Sequence, residues 1–93
     1  MALKRRLHLF VSGLVQGVFY RDNTKSKASS LNLTGWVRNL LDGRVEVVAE
    51  GDEISLQELF DYCRDNPGQS RVDDVSVEWS EAKSEFKEFK VAG

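Results

Sequence analysis

One cysteine, one histidine, one methionine and one proline are all that this chain of 93 residues has of those types. The lone Cys63 cannot close an internal disulfide, and with His8 as its only soft companion it cannot build a zinc site. No apolar run approaches the roughly 20 residues that span a bilayer. The basic start, Met1 to Arg6, leads into an alternation broken by His8 and Ser12, which is a strand pattern and not a signal peptide. Charge of one sign is lacking too: thirteen Lys+Arg against fifteen Asp+Glu leave a net −2, which argues against a coat for nucleic acid or for an anionic membrane. Repeats, low-complexity tracts and linkers are missing. What is there is 41% hydrophobic and 30% charged, the profile of a folded domain. The length fits one domain, residues 1–93, with a marginal stability of roughly 5–10 kcal/mol. Its reduced thiol and lack of a membrane segment lead us to expect a cytoplasmic protein.

Lys4 to Ser12 alternates, with Leu7, Leu9 and Val11 on a core face and Arg6, His8 and Phe10 on a partly covered back. After a loop from Gly13 to Tyr20, Asp22 to Asn32 reads as a helix whose thin stripe is Thr24, Ala28 and Leu31. Leu33 to Asn39 and Arg44 to Glu50 are strands, the second with Val45, Val47 and Ala49 inward. Leu41-Asp42-Gly43-Arg44 between them carries the Asp-Gly hairpin signal. A second helix shows Leu56, Leu59, Phe60 and Cys63 on one face. Ser55 and Glu58 predict a capping box at its start, Ile54 and Leu59 a hydrophobic staple, and Asn66-Pro67-Gly68 its stop. Asp74 to Ser80 alternates Val75, Val77 and Trp79 inward, and Phe86 to Val91 is a short segment suited to an edge. The order predicts an α+β, ferredoxin-like split βαβ sandwich (βαββαβ): an antiparallel sheet with both helices on one face.

Two stretches carry candidate chemistry. Gly13-Leu14-Val15-Gln16-Gly17-Val18-Phe19-Tyr20-Arg21 feeds the first helix. A helix N-terminus offers N–H groups without intrahelical partners and a partial positive charge. Two glycines let such a loop curl so that its amides converge as a nest, for which phosphate is a natural occupant. Arg21 adds a planar, permanently charged fork. The spacing is neither the dinucleotide fingerprint nor a Walker loop, and an ordinary turn with a surface arginine fits the composition equally well. The second stretch is Gly35-Trp36-Val37-Arg38-Asn39, where an Asn near a strand end is more commonly a turn former than a catalyst.

Together these stretches resemble the acylphosphatase family, whose signatures take the forms G-x-V-Q-G-V-x-[FY]-R, here Gly13 to Arg21, and G-[FYW]-[AVC]-x-N, here Gly35 to Asn39. The resemblance covers essentially the whole chain. It implies metal-independent hydrolysis of the carboxyl–phosphate bond of acyl phosphates, with Arg21 binding the phosphate and Asn39 positioning the attacking water. The backbone of Val15, Gln16, Gly17, Val18, Phe19 and Tyr20 is the expected phosphate cradle. The chemistry asks for little else. A carboxylate leaves without a proton, so no general acid is needed. Phosphoryl transfer requires positioning and charge stabilisation more than covalent work. No cofactor is expected. Inorganic phosphate or sulfate is expected to compete for the loop, and a monomer is the default.

The remaining polar residues read as structural. His8 points away from the core face, Cys63 packs as a small hydrophobe, and Asp22 supports a helix N-terminus. Asp73-Asp74 and the charges from Glu81 to Lys90 form a solvated face, Trp36 and Trp79 belong to the sheet, and Ser12 is expected to brace the loop through its hydroxyl. A non-catalytic anion-binding module is the competing reading, although it has no use for a water-positioning Asn39. RNA recognition shares the architecture but stacks bases on central-strand aromatics, which Val45, Val47 and Val48 do not supply, so no nucleic-acid partner is expected.

Overall fold

The computed structural model describes residues 4–65 and 68–92. Its elements are β1 (Lys4–Leu14), α1 (Tyr20–Ser30), β2 (Thr34–Asn39), β3 (Val45–Asp52), α2 (Glu53–Arg64), β4 (Arg71–Glu81) and β5 (Phe89–Val91). The sheet runs β4-β1-β3-β2-β5. The first four strands are antiparallel neighbours, as the ferredoxin-like order requires, and β5 adds a parallel pairing of Gly35–Val37 with Phe89–Val91. The sheet is therefore mixed at one edge.

The predicted faces hold in the centre. Leu7, Leu9 and Val11 of β1, Val37 of β2 and Val45, Val47 and Ala49 of β3 are fully buried. They pack against Tyr20 and Ala28 of α1 and Leu56, Leu59 and Cys63 of α2. Alternation fails at the margin. Val77 belongs to the same face by register, opposite Leu9, yet it is 45% exposed because β4 is the outer strand. Val75 and Trp79 do pack against the core.

Helix starts differ from expectation. α1 begins at Tyr20, because Tyr20 is anchored in the core and its hydroxyl donates to the Cys63 carbonyl at 2.9 Å. α2 begins at Glu53 with an extended Asp52 as N-cap, so Ser55 lies within the first turn and no side chain caps the helix. Ile54 is exposed, which removes the staple. The strand-to-helix junction is set instead at Gly51, where a Cβ would strike the Leu33 side chain at 2.4 Å. The helix ends at Arg64 with Asp65 as C-cap. Asn66 and Pro67 of the predicted stop lie outside the described residues.

On the open face of the sheet the back residues of β1 are paired, not idle. Glu46 takes His8 Nε2 at 2.6 Å and the Arg38 guanidinium at 2.7 Å. Glu50 takes Arg6 at 2.8 Å and the amides of Lys83 and Ser84 at 2.8 and 3.0 Å. Burial alone would raise both carboxyls, but these donors hold each below the usual range. No helix among the described residues is long and apolar enough to cross a membrane.

Candidate active site

β1 runs two residues beyond its predicted end, and a bulge between Ser12 and Gly13 turns the chain. Gly13 is thus not part of the loop's curl. It lies where β1 meets β4 so closely that a Cβ would sit 2.1 Å from the Arg71 carbonyl oxygen. The curl comes from Gly17, at φ 76°, and Phe19, at φ 61° and ψ 20°. A left-handed non-glycine residue costs roughly 1–2 kcal/mol. Phe19 accepts that cost while 74% exposed, and as N-cap of α1 it supplies no side-chain hydrogen bond.

The cost leaves donors free. The first bond of α1 runs from the Asn23 amide to the Phe19 carbonyl at 3.0 Å. Among the described residues, no backbone N–H from Val15 to Asp22 donates to a backbone carbonyl. Val15, Gly17, Phe19, Tyr20, Arg21 and Asp22 line a hollow of about 240 Å³. That is below the roughly 300 Å³ at which drug-sized pockets begin, and suits the reacting end of a small molecule. Gln16, Val18 and Asn39 do not line it.

Arg21 stands out among the arginines. Arg5, Arg6, Arg38, Arg44, Arg64 and Arg71 each face a carboxylate within 3.3 Å. Arg21 has no such partner among the described residues, not even its neighbour Asp22, so its half-buried charge is unspent beside the hollow. Asp22 occupies the first turn of α1, where negative charge is favoured.

Asn39 ends β2 on the helix side of the sheet, paired with Val45. Its Oδ1 is buried and has no hydrogen-bond partner among the described residues. An unmet buried acceptor costs roughly 1–3 kcal/mol and is uncommon in a folded protein. The two motifs are tied together by Gln16. Its Nε2 donates to the Leu40 carbonyl and to the Arg44 carbonyl, both at 2.9 Å, strapping the loop to the hairpin that follows Asn39. Sequence reasoning missed this strap and assigned the bracing to Ser12, whose hydroxyl makes no hydrogen bond among the described residues. Only the place of Gln16 inside the first motif hinted at a task.

The residues set aside behave as structure. Cys63 is fully buried, and burial pushes its thiol up to about 11. Trp36 and Trp79 are each covered by an arginine, Arg38 at 5.0 Å and Arg5 at 5.2 Å from the ring centre. Asp73 pairs with Arg71, and no three His, Cys, Asp or Glu among the described residues come together as a cation site.

Similarity to known proteins points one way. The acylphosphatase family model matches residues 7–91. An acylphosphatase of Marinobacter nauticus is 52% identical over 85 residues, covering 91% of this chain and 92% of that one. One of Methylococcus capsulatus is 52% identical over 87 residues, covering 94% and 95%. The crystal structure of acylphosphatase from Bacillus subtilis superposes with a TM-score of 0.91 at 35% identity, over 96% of this chain and 99% of the other. A family match over residues 7–91, relatives at 52% identity and a fold shared across nearly the whole length leave a single assignment: the chain belongs to the acylphosphatase family, hydrolases that act on acyl phosphates.

Proposed function

We propose that the hollow holds the phosphoryl group of an acyl phosphate, gripped by the amides of Val15, Gln16, Gly17, Val18, Phe19 and Tyr20 and by Arg21, and that Asn39 orients the attacking water. The observation that carries this reading is a complementary set of unsatisfied groups. Unspent donors, the loop amides and the Arg21 guanidinium, belong to the segment that contains Gln16, and an unspent acceptor, Asn39 Oδ1, belongs to the strand whose following hairpin Gln16 ties to it. Phosphoryl oxygens accept hydrogen bonds and a water donates them, so the two sides call for different parts of one reaction.

In that reaction the water oxygen attacks phosphorus in line as the bond to the carboxylate oxygen breaks. The electron pair leaves with the carboxylate, which needs no proton. Charge spreads over the phosphoryl oxygens, where pre-aimed donors in a confined site stabilise it most. Asn39 Oδ1 accepts one O–H of the water and fixes the oxygen lone pair toward phosphorus. A carboxamide is too weak a base to take the proton, which passes to a phosphoryl oxygen of the substrate. No step calls for a metal. The Cys63 thiol is free and buried, and the outer strand β4 carries Asp73, Asp74, Glu78 and Glu81; both support a single-domain monomer acting in the cytoplasm.

The test is benzoate release from benzoyl phosphate with EDTA present. Asn39→Ala should cut turnover to a small residual rate while phosphate binding, followed by isothermal titration calorimetry, is kept. Arg21→Ala should lose both, with activity down by at least the roughly 10²–10³-fold typical of one transition-state donor. Turnover by Asn39→Ala at the wild-type rate refutes the role of Asn39. Wild-type protein that binds phosphate without hydrolysing benzoyl phosphate would make the chain an anion-binding module.

A further inference from the structure

We infer that the Gln16 side chain is a positioning residue for Asn39, acting through the hairpin and not on the phosphate. This rests on the reading of Asn39 given above. Gln16 Nε2 has two hydrogens, and two carbonyls face it at equal distance, Leu40 O and Arg44 O at 2.9 Å. That pairing fixes which end of the carboxamide is nitrogen, since Oε1 in its place would confront two acceptors.

The same two carbonyls close the hairpin. Leu40 O accepts the Gly43 amide at 3.2 Å, and Arg44 O accepts the Leu40 amide at 2.8 Å. The last ladder pair before them is Asn39 with Val45. The Gln16 fork therefore clamps the residue pair next to Asn39, at the point where the sheet ends.

The two sides of the clamp are not equally secure. The loop has other anchors: Val15 is buried, Val18 packs on the core, and the Tyr20 hydroxyl is bonded to the Cys63 carbonyl. The hairpin has one other, the Arg44 guanidinium 4.9 Å from the centre of the Phe10 ring. Leu41, Asp42 and Gly43 are exposed, and Asp42 bonds only to Arg44 within the same turn. Cutting the strap leaves the hairpin on that half-exposed contact alone, so it loosens while the loop stays in place. Asn39 Oδ1 then loses its aim while the phosphate cradle keeps its shape.

Gln16→Met, of similar length and without donors, and Gln16→Asn, with donors on a stem one methylene too short, should therefore lower kcat by roughly 10- to 100-fold, the range associated with misplacing a reacting group by about 1 Å. Inhibition by inorganic phosphate should stay within about threefold of wild type, because the donors that meet the anion are not moved. In an Asn39→Ala background the Gln16→Met change should cost almost nothing further in kcat, since the group it positions is gone. Wild-type kcat in both folded Gln16 variants, with only a lower melting temperature, overturns the proposal and leaves Gln16 a structural residue. Phosphate affinity falling in step with kcat overturns it as well, and assigns Gln16 to the cradle. Full additivity with Asn39→Ala does the same for the coupling. The Asn39→Ala single variant separates this outcome from failure of the water-positioning reading itself.

Discussion

Gly35→Ala should unfold this protein far more readily than Gly17→Ala, although both glycines belong to the signature stretches. Gly35 is the second residue of β2, at φ 138° and opposite Ala49 of β3, and its amide donates to the Glu88 carbonyl at 3.0 Å. An added Cβ would stand 1.9 Å from the Val48 carbonyl oxygen, 2.8 Å from its carbon and 2.9 Å from Ala49 Cα. All three are backbone atoms of a central strand, which cannot swing aside as a side-chain tip can. Overpacking of this kind costs roughly 1–3 kcal/mol, and holding an alanine at such a φ adds roughly another 1–3. Stiffening of the unfolded chain returns only about 0.4–1 kcal/mol. The net loss, about 3 kcal/mol at the middle of these ranges, is a large part of the roughly 5–10 kcal/mol that a chain of this size commands.

Gly17 has the opposite environment: φ is 76°, and a Cβ would meet no atom within 4 Å. Its cost is backbone strain alone, about 0.8 kcal/mol at the middle of the ranges after the unfolded-state gain. Thermal unfolding followed by far-ultraviolet circular dichroism separates the two, since about 1 kcal/mol moves the midpoint by about 4–8 °C at this size. Gly35→Ala should fall by more than about 10 °C and Gly17→Ala by less than about 8 °C. Any activity lost by Gly17→Ala is then lost from a folded enzyme. A Gly35→Ala protein melting within about 3 °C of wild type would refute the close-approach reasoning.

Two other predictions concern charge. Glu46 and Glu50 have folded-state carboxyls held below their usual range, so the stability they contribute is present above roughly pH 4.3, the unfolded value, and is lost as pH falls through the lower folded value. Urea midpoints measured downward from about pH 5 should drop, and Glu46→Gln should flatten that decline; a decline parallel to wild type would show that the His8–Glu46–Arg38 cluster does not contribute it. Phosphate and sulfate should inhibit competitively against benzoyl phosphate, and EDTA should change nothing. Activity lost to EDTA and restored by a divalent ion would overturn the metal-free mechanism.

What could be read from the sequence divides along a physical line, between patterns local in the chain and contacts distant along it. The alternation in β1 and β3 and the apolar stripe of α2 are local, and each put the right residues in the core. The Asp-Gly turn is local too, and Gly43 does close it at φ 96°. Helix starts misled because the cap signal assumes that a side chain does the capping. At Ser55 the junction was set by Gly51 against Leu33, and at Phe19 the cap was left open, which is what a ligand site needs and a stable helix does not. Val77 kept the period but not the burial, because periodicity carries no information on which strand lies outermost. Arg21 and Asn39 were legible only as members of a family pattern. Their physical signature is a shortage of partners, and a shortage is visible only once every neighbour has been placed. Gln16 shows the converse. Its two bonds span 24 and 28 residues, so nothing in its surroundings along the chain marked it as the group that joins the loop to the hairpin.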